Sequence, residues 1–90
     1  MARLDTHELH DLFSFAQQLL QNAGKEITTA NLVEQLSVEG MADQPLSYDM
    51  HLKITRFRHL NQKTRLVKAR KYVSNIKLHF NILSLPVKLP

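Results

Sequence analysis

The sequence predicts a small all-α domain: four helices, a helix-turn-helix-like order among the first three, and a long basic amphipathic helix at the C-terminal end. Three observations carry this. Apolar residues recur at steps of three and four through most of the chain. Capping residues stand before the periodic stretches. Only residues 40–46, Gly-Met-Ala-Asp-Gln-Pro-Leu, read as a convincing internal loop.

The first helix is the clearest. Leu9, Leu12, Phe13, Ala16, Leu19, Leu20 and Ala23 form one apolar stripe. Asp5 and Glu8 stand as a capping pair, and both acids suit a helix N-terminus. Gly24 is placed to end the helix, with Lys25 favourable beside its negative end. Thr28 is a good N-cap for a second, short helix. Ile27 and Leu32 occupy the positions of a hydrophobic staple, Leu32, Val33 and Leu36 are its buried residues, and Gly40 marks its end. Ser47 caps a third helix with Asp49 in its first turn; Met50, Ile54 and Phe57 line the inner face, with Leu60 at the margin.

The apolar phase breaks around Asn61-Gln62-Lys63. A regular series then follows: Leu66, Ala69, Val73, Ile76, Phe80, Leu83. The three–four spacing is a heptad-type stripe, too short for a coiled coil but long enough to pack into a core or a dimer seam. Ile76, Leu78, Phe80 and Ile82 also alternate, so a strand competes for residues 74–85; the longer helical series favours helix. The expected organisation is one helical domain over residues 1–83 and an extended tail over 84–90, broken by Pro86.

Ninety residues allow a thin core, and domains of this size often gain stability by dimerising. Leu66, Val73, Ile76 and Phe80 are the residues for a homodimer. With 43% hydrophobic and 22% charged residues, the composition is globular. There is no cysteine, which removes disulfides, thiolate chemistry and Cys-based zinc sites and fits a reducing cytoplasm. The start of the chain carries no signal peptide, and no apolar run is long enough to span a bilayer. A cytoplasmic protein without membrane contact is expected.

Charge is segregated along the chain. Residues 1–49 hold all eight acids, Asp5, Glu8, Asp11, Glu26, Glu34, Glu39, Asp43 and Asp49, against Arg3 and Lys25. Residues 50–90 hold no acid and ten cations, Lys53, Arg56, Arg58, Lys63, Arg65, Lys68, Arg70, Lys71, Lys77 and Lys88. The formal charges are −6 and +10. An ordinary surface intersperses the two signs, so this division points to a polyanionic partner, most economically nucleic acid. The competing explanation is that the halves neutralise each other within one fold or between subunits.

Nothing in the chain points to catalysis. His7, His10, His51, His59 and His79 form no i, i+4 histidine pair and no HExxH motif. His7 and Asp11 stand one turn apart, as in an ordinary surface pair. There is no nucleophile elbow, no phosphate-cradling glycine loop and no carboxylate cluster. The expectation is no enzyme, no cofactor, no metal and no small-molecule ligand.

The third helix carries residue types that suit base recognition. With Met50, Ile54 and Phe57 inward, Tyr48, Leu52, Thr55, Arg56 and His59 are expected on the opposite face. Arg meets guanine acceptors, Thr and Leu meet a thymine methyl, and Tyr reaches phosphate. Lys53 and Arg58 are expected on the flanks, where phosphate contacts arise. The fourth helix offers a second basic surface. Lys63, Arg70 and Lys77 share one edge of the stripe, Lys68 and Lys71 the outer face, and Arg65 the other edge. Such a helix can lie along a phosphate backbone, or its long side chains can shield the apolar seam. Tyr72 beside it is expected to pack rather than stack.

The segment Gln21-Asn22-Ala23-Gly24-Lys25-Glu26-Ile27-Thr28-Thr29-Ala30-Asn31-Leu32-Val33-Glu34-Gln35-Leu36 resembles the opening of helix-turn-helix regulators of plasmids and phages, in particular the N-terminal DNA-binding domain of the KfrA type. There a first helix ends in Gly, a polar step leads to Thr, and a helix with Leu or Val four residues before Leu follows. The resemblance covers roughly residues 9–60 and rests on unspecific motifs. It departs at Ser37 to Leu46, which is longer than the usual turn, and it carries over no base-contacting residue. It implies a DNA-binding regulator with duplex DNA as partner. The alternative is a protein-interaction module, such as an inhibitor from a mobile element, docking its basic helix on an acidic protein. A third reading is self-assembly of acidic on basic faces.

Overall fold

The local capping signals govern where the helices begin and end. The computed structural model describes residues 4–37 and 46–88, those after Lys77 as backbone alone. In it, the Glu8 amide donates to the Asp5 carboxylate at 2.8 Å and the Asp5 amide to Glu8 Oε1 at 3.1 Å. This reciprocal capping box opens α1 (Thr6–Asn22). Gly24 closes it with φ +71°. The Lys25 amide reaches the Leu20 carbonyl and the Gly24 amide the Gln21 carbonyl, the two bonds of a Schellman ending. Thr28 Oγ1 accepts from the Asn31 amide at 3.0 Å and starts α2 (Thr29–Ser37). Ser47 Oγ accepts from the Met50 amide at 3.1 Å and starts α3 (Tyr48–Arg58). Asn61 Oδ1 accepts from the Thr64 amide at 2.8 Å, so the break in apolar phase at Asn61 is itself an N-cap, for α4 (Gln62–Lys88).

The apolar stripes meet in one core. Leu12, Phe13, Ala16 and Leu20 of α1 pack with Leu32, Val33 and Leu36 of α2, Ile54 and Phe57 of α3, and Ala69, Tyr72 and Val73 of α4. Phe13 sits at the junction: its ring lies edge-on to Phe57 at 5.5 Å between centroids and tilted against Tyr72 at 5.4 Å. Such aromatic contacts add to the area term. Tyr72 packs, as its apolar surroundings require, and its hydroxyl donates to Gln17 Oε1 and lies 3.3 Å from Ser14 Oγ. Ile27 and Leu19 are partly buried against the core, whereas Ala23 is exposed because it is the C-cap, beyond the last inward turn.

Residues 74–85 are helical, as the longer apolar series favours: among the described residues there is no strand, and an unpaired strand would leave its backbone groups without partners. The helix also continues past residue 83 to Lys88, where an extended tail was expected. Pro86 has a fixed φ that is already helical, and in the last turn it removes one backbone bond without interrupting a longer run. Of the two uses for the heptad stripe, core or dimer seam, the described residues show the core. Val73 is buried, and Leu66 and Ile76 pack partly buried against it. The Phe80 and Leu83 side chains, the loop over residues 40–45 and Gly40 lie outside the described residues.

Two substitutions test the architecture. Gly24→Ala meets no atom within 4 Å, so its cost is the left-handed backbone alone, about 1–2 kcal/mol in urea unfolding. Phe57 is fully buried, and Phe57→Ala is expected to cost about 3–5 kcal/mol. Equal midpoints for these variants and the parent would contradict the packing.

Candidate nucleic-acid interface

Packing α3 on α1 decides which cations remain available. Glu8 and Asp11 stand three residues apart on α1; Lys53 and Arg56 stand three apart on α3. The two spacings match in antiparallel register. Arg56 donates to Glu8 Oε2 at 3.0 Å, and Lys53 Nζ lies 3.4 Å from Asp11 Oδ2 and 2.6 Å from Asp49 Oδ2. Lys53 is only 7% exposed. A buried ammonium is costly unless paired and hydrogen-bonded, and here two carboxylates meet it.

The recognition-face assignment therefore changes. Arg56, expected to project outward, turns to α1, since one step of the helix places it beside the inward Phe57. Lys53, expected on a flank, is enclosed between α1 and α3. Arg58, the other expected flank, donates from Nε to the Leu36 carbonyl at 3.0 Å. Arg65, expected on an edge of α4, is half-buried and donates to the Arg58 carbonyl. The guanidiniums of Arg58 and Arg65 thus meet the negative C-terminal ends of α2 and α3. The equal spacing of Glu8/Asp11 and Lys53/Arg56 was the signal in the sequence, but only the crossing of α1 and α3 shows that the pairs meet.

Apart from Asp49, whose exposed carboxylate pairs with Lys53, α3 shows uncharged side chains to solvent. Tyr48 is 77% exposed. His51, Thr55 and His59 are exposed and Leu52 half-buried. The Thr55 hydroxyl donates to the His51 carbonyl at 3.0 Å, one turn back.

On α4 the cations remain outside. Lys63, Arg70, Lys71 and Lys77 are exposed and Lys68 is half-buried. Among the described residues none of the five has a carboxylate within ion-pair distance. Their phase follows from the burial of Ala69, Tyr72 and Val73 on the opposite side. Lys63, Arg70 and Lys77 recur every seven residues along one edge, Lys71 crowns the helix, and Lys68 borders α1. Val67, 41% exposed, lies among them.

His7 Nε2 lies 3.8 Å from Asp11 Oδ2 across one turn. Among the described residues no three His, Asp or Glu side chains are placed to hold a metal ion, and no helix is long and apolar enough to cross a membrane. Comparison with protein families, with curated proteins and with solved structures finds no match to this chain.

These ion pairs form a ladder, Glu8–Arg56, Asp11–Lys53 and Asp49–Lys53, and its Asp49–Lys53 rung has a pH signature. The hydrogen bond from Lys53, followed by the charge of the same ammonium, holds the Asp49 carboxyl below its ordinary value. The bond to Asp49 raises Lys53 above the ordinary lysine value, against the opposing effect of burial. A lowered carboxylate pKa stabilises the fold above its unfolded value, and this is lost as pH falls through the folded one. A raised lysine pKa stabilises below its unfolded value and is lost as pH rises through the folded one. The Asp49–Lys53 pair thus contributes fully between about pH 4 and pH 10. Lys53→Glu places a third carboxylate beside Asp11 and Asp49. Its Tm is expected below the parent's at neutral pH, with the gap narrowing as the solution is acidified through about pH 4. Thermal melts at the two pH values check this; a gap that does not change with pH contradicts the ladder.

Proposed function

We propose that this chain is a nucleic-acid-binding protein, with duplex DNA the favoured partner, acting as a small transcriptional or plasmid/phage regulator in the cytoplasm. The observation that supports this reading is the basic face of α4. After Lys53, Arg56, Arg58 and Arg65 are used inside the fold, Lys63, Lys68, Arg70, Lys71 and Lys77 remain on one helix without an acid on it. Like charges on one helix repel, and a phosphate backbone relieves that repulsion while releasing counterions.

The face suits phosphate contact better than base reading, because it holds four lysines and a single arginine in helical rows. Sequence preference, where present, falls to Tyr48, Thr55 and His59 on the outward side of α3. The order α1–α2–α3 and the Gly24-to-Thr28 step resemble those of the plasmid and phage regulators named above, and that resemblance supports the same reading.

A second reading rests on Val67. An exposed aliphatic side chain among Arg70 and Lys71 offers an apolar anchor, which phosphate does not need and an acidic protein partner would use. In that reading the chain is an interaction module or an inhibitor from a mobile element.

Fluorescence anisotropy against random duplex at two salt concentrations separates the two. With about five phosphates neutralised, affinity is expected to fall roughly 500-fold between about 50 and 200 mM salt. Absence of binding at the lower salt rejects the nucleic-acid reading. Arg70→Ala and Lys71→Ala are each expected to weaken all sites alike and to reduce the magnitude of the salt slope by about one. Arg56→Ala is expected to lower Tm and leave affinity for duplex nearly unchanged; the reverse result would return Arg56 to the interface.

A further inference from the structure

Helices α1 and α4 leave a groove between them. Buried Leu9, Phe13 and Tyr72 make its floor, exposed His10 one wall, and Lys68 and Lys71 its rim on the other side. Its volume is about 120 Å³. That is near the scale of the ~150 Å³ apolar cavities that take up one benzene ring. The rings are largely engaged with one another: His10 and Tyr72 stand edge to face at 5.7 Å between centroids, and Phe13, 1% exposed, lies tilted beneath Tyr72. Exposed His10 and the outer edge of Tyr72 are what the groove presents.

Charge decides the other half of the ligand. No carboxylate lines the groove. Lys68 and Lys71 stand three residues apart, on the same side of α4, with no ion pair to either among the described residues. Two neighbouring ammonium groups above an apolar floor complement a molecule with a ring at one end and an anion at the other. A neutral ring leaves the ammonium pair unmet; a bare inorganic anion leaves the floor unused.

We propose that this groove binds a single-ring aromatic carboxylate, the ring against His10 and Tyr72 over Leu9 and the carboxylate at the Lys68 and Lys71 rim. The site stands without the nucleic-acid reading. Its consequence for function rests on that reading: a bound carboxylate occupies two of the five cations of the basic face, so ligand and duplex compete.

Benzoate is the probe, titrated into the full-length chain at constant ionic strength and followed by amide NMR. Saturable shifts centred on His10, Phe13, Lys71 and Tyr72 are expected, with Kd of about 0.1–10 mM for so small a ligand. Lys68→Gln with Lys71→Gln, both at the rim, is expected to weaken benzoate about tenfold while the spectrum stays that of the folded parent. Cyclohexanecarboxylate, benzyl alcohol and inorganic phosphate are expected to bind more weakly at these amides. Shifts spread evenly over the lysines, equal binding of cyclohexanecarboxylate, or benzoate affinity unchanged in the double variant would overturn the proposal. Added benzoate is also expected to raise the apparent Kd for duplex. If the parent binds no duplex at all, the nucleic-acid reading fails while the NMR titration still decides the groove; if it binds duplex and benzoate shifts nothing, the groove fails alone.

Discussion

Phe13 is the side chain on which the arrangement turns. It is 1% exposed and touches aromatic rings from two other helices. A fully buried aromatic contributes about 1.5–3 kcal/mol from area alone, and a ninety-residue domain has little stability to lose. More important is what the contacts orient. Phe57 against Phe13 joins α3 to α1, and Tyr72 against Phe13 joins α4 to α1. Together with the packing of α2 on α1 and α4, these contacts limit the rotation of α3 and α4 about their own axes. Which cations face inward depends on that packing.

The crossing of α3 on α1 converts part of the charge segregation into internal structure. Glu8 and Asp11 face Arg56 and Lys53, and the two arginines Arg58 and Arg65 meet helix carbonyls. These cations would otherwise have belonged to the same basic surface as α4. Enclosing Lys53 has a desolvation cost that its two carboxylates, Asp11 and Asp49, offset. Neutralisation within the fold thus accounts for the cations of α3, while those of α4 stay on an exposed basic face.

Most of the fold was legible in the sequence because it is written in local terms. A capping box, a glycine able to hold φ +71° and threonine and serine caps act over four or five residues. The three–four stripe acts along a single helix, so neither needs knowledge of a partner. The end of α4 was misread because the sequence shows only that proline opposes helix, not that a last turn tolerates it. The assignment of α3 was misread for a different reason. Its wheel separates buried from exposed, but Lys53 and Arg56 sit at the margin of the inner face. A marginal residue is surface or interface according to the helix beside it.

By itself, then, the sequence determined four helices, their starts, their inward apolar faces and the excess of positive charge in the second half, since each depends on neighbours within a turn or two. Tertiary structure alone decided which charges meet. Pairing between Glu8 and Arg56, or Asp11 and Lys53, spans more than forty positions of chain and depends on the crossing of α1 and α3. The groove between α1 and α4 depends likewise on how two stripes are set side by side. Coulomb attraction and cavity shape are functions of distance in space, and the order of residues along the chain does not contain those distances.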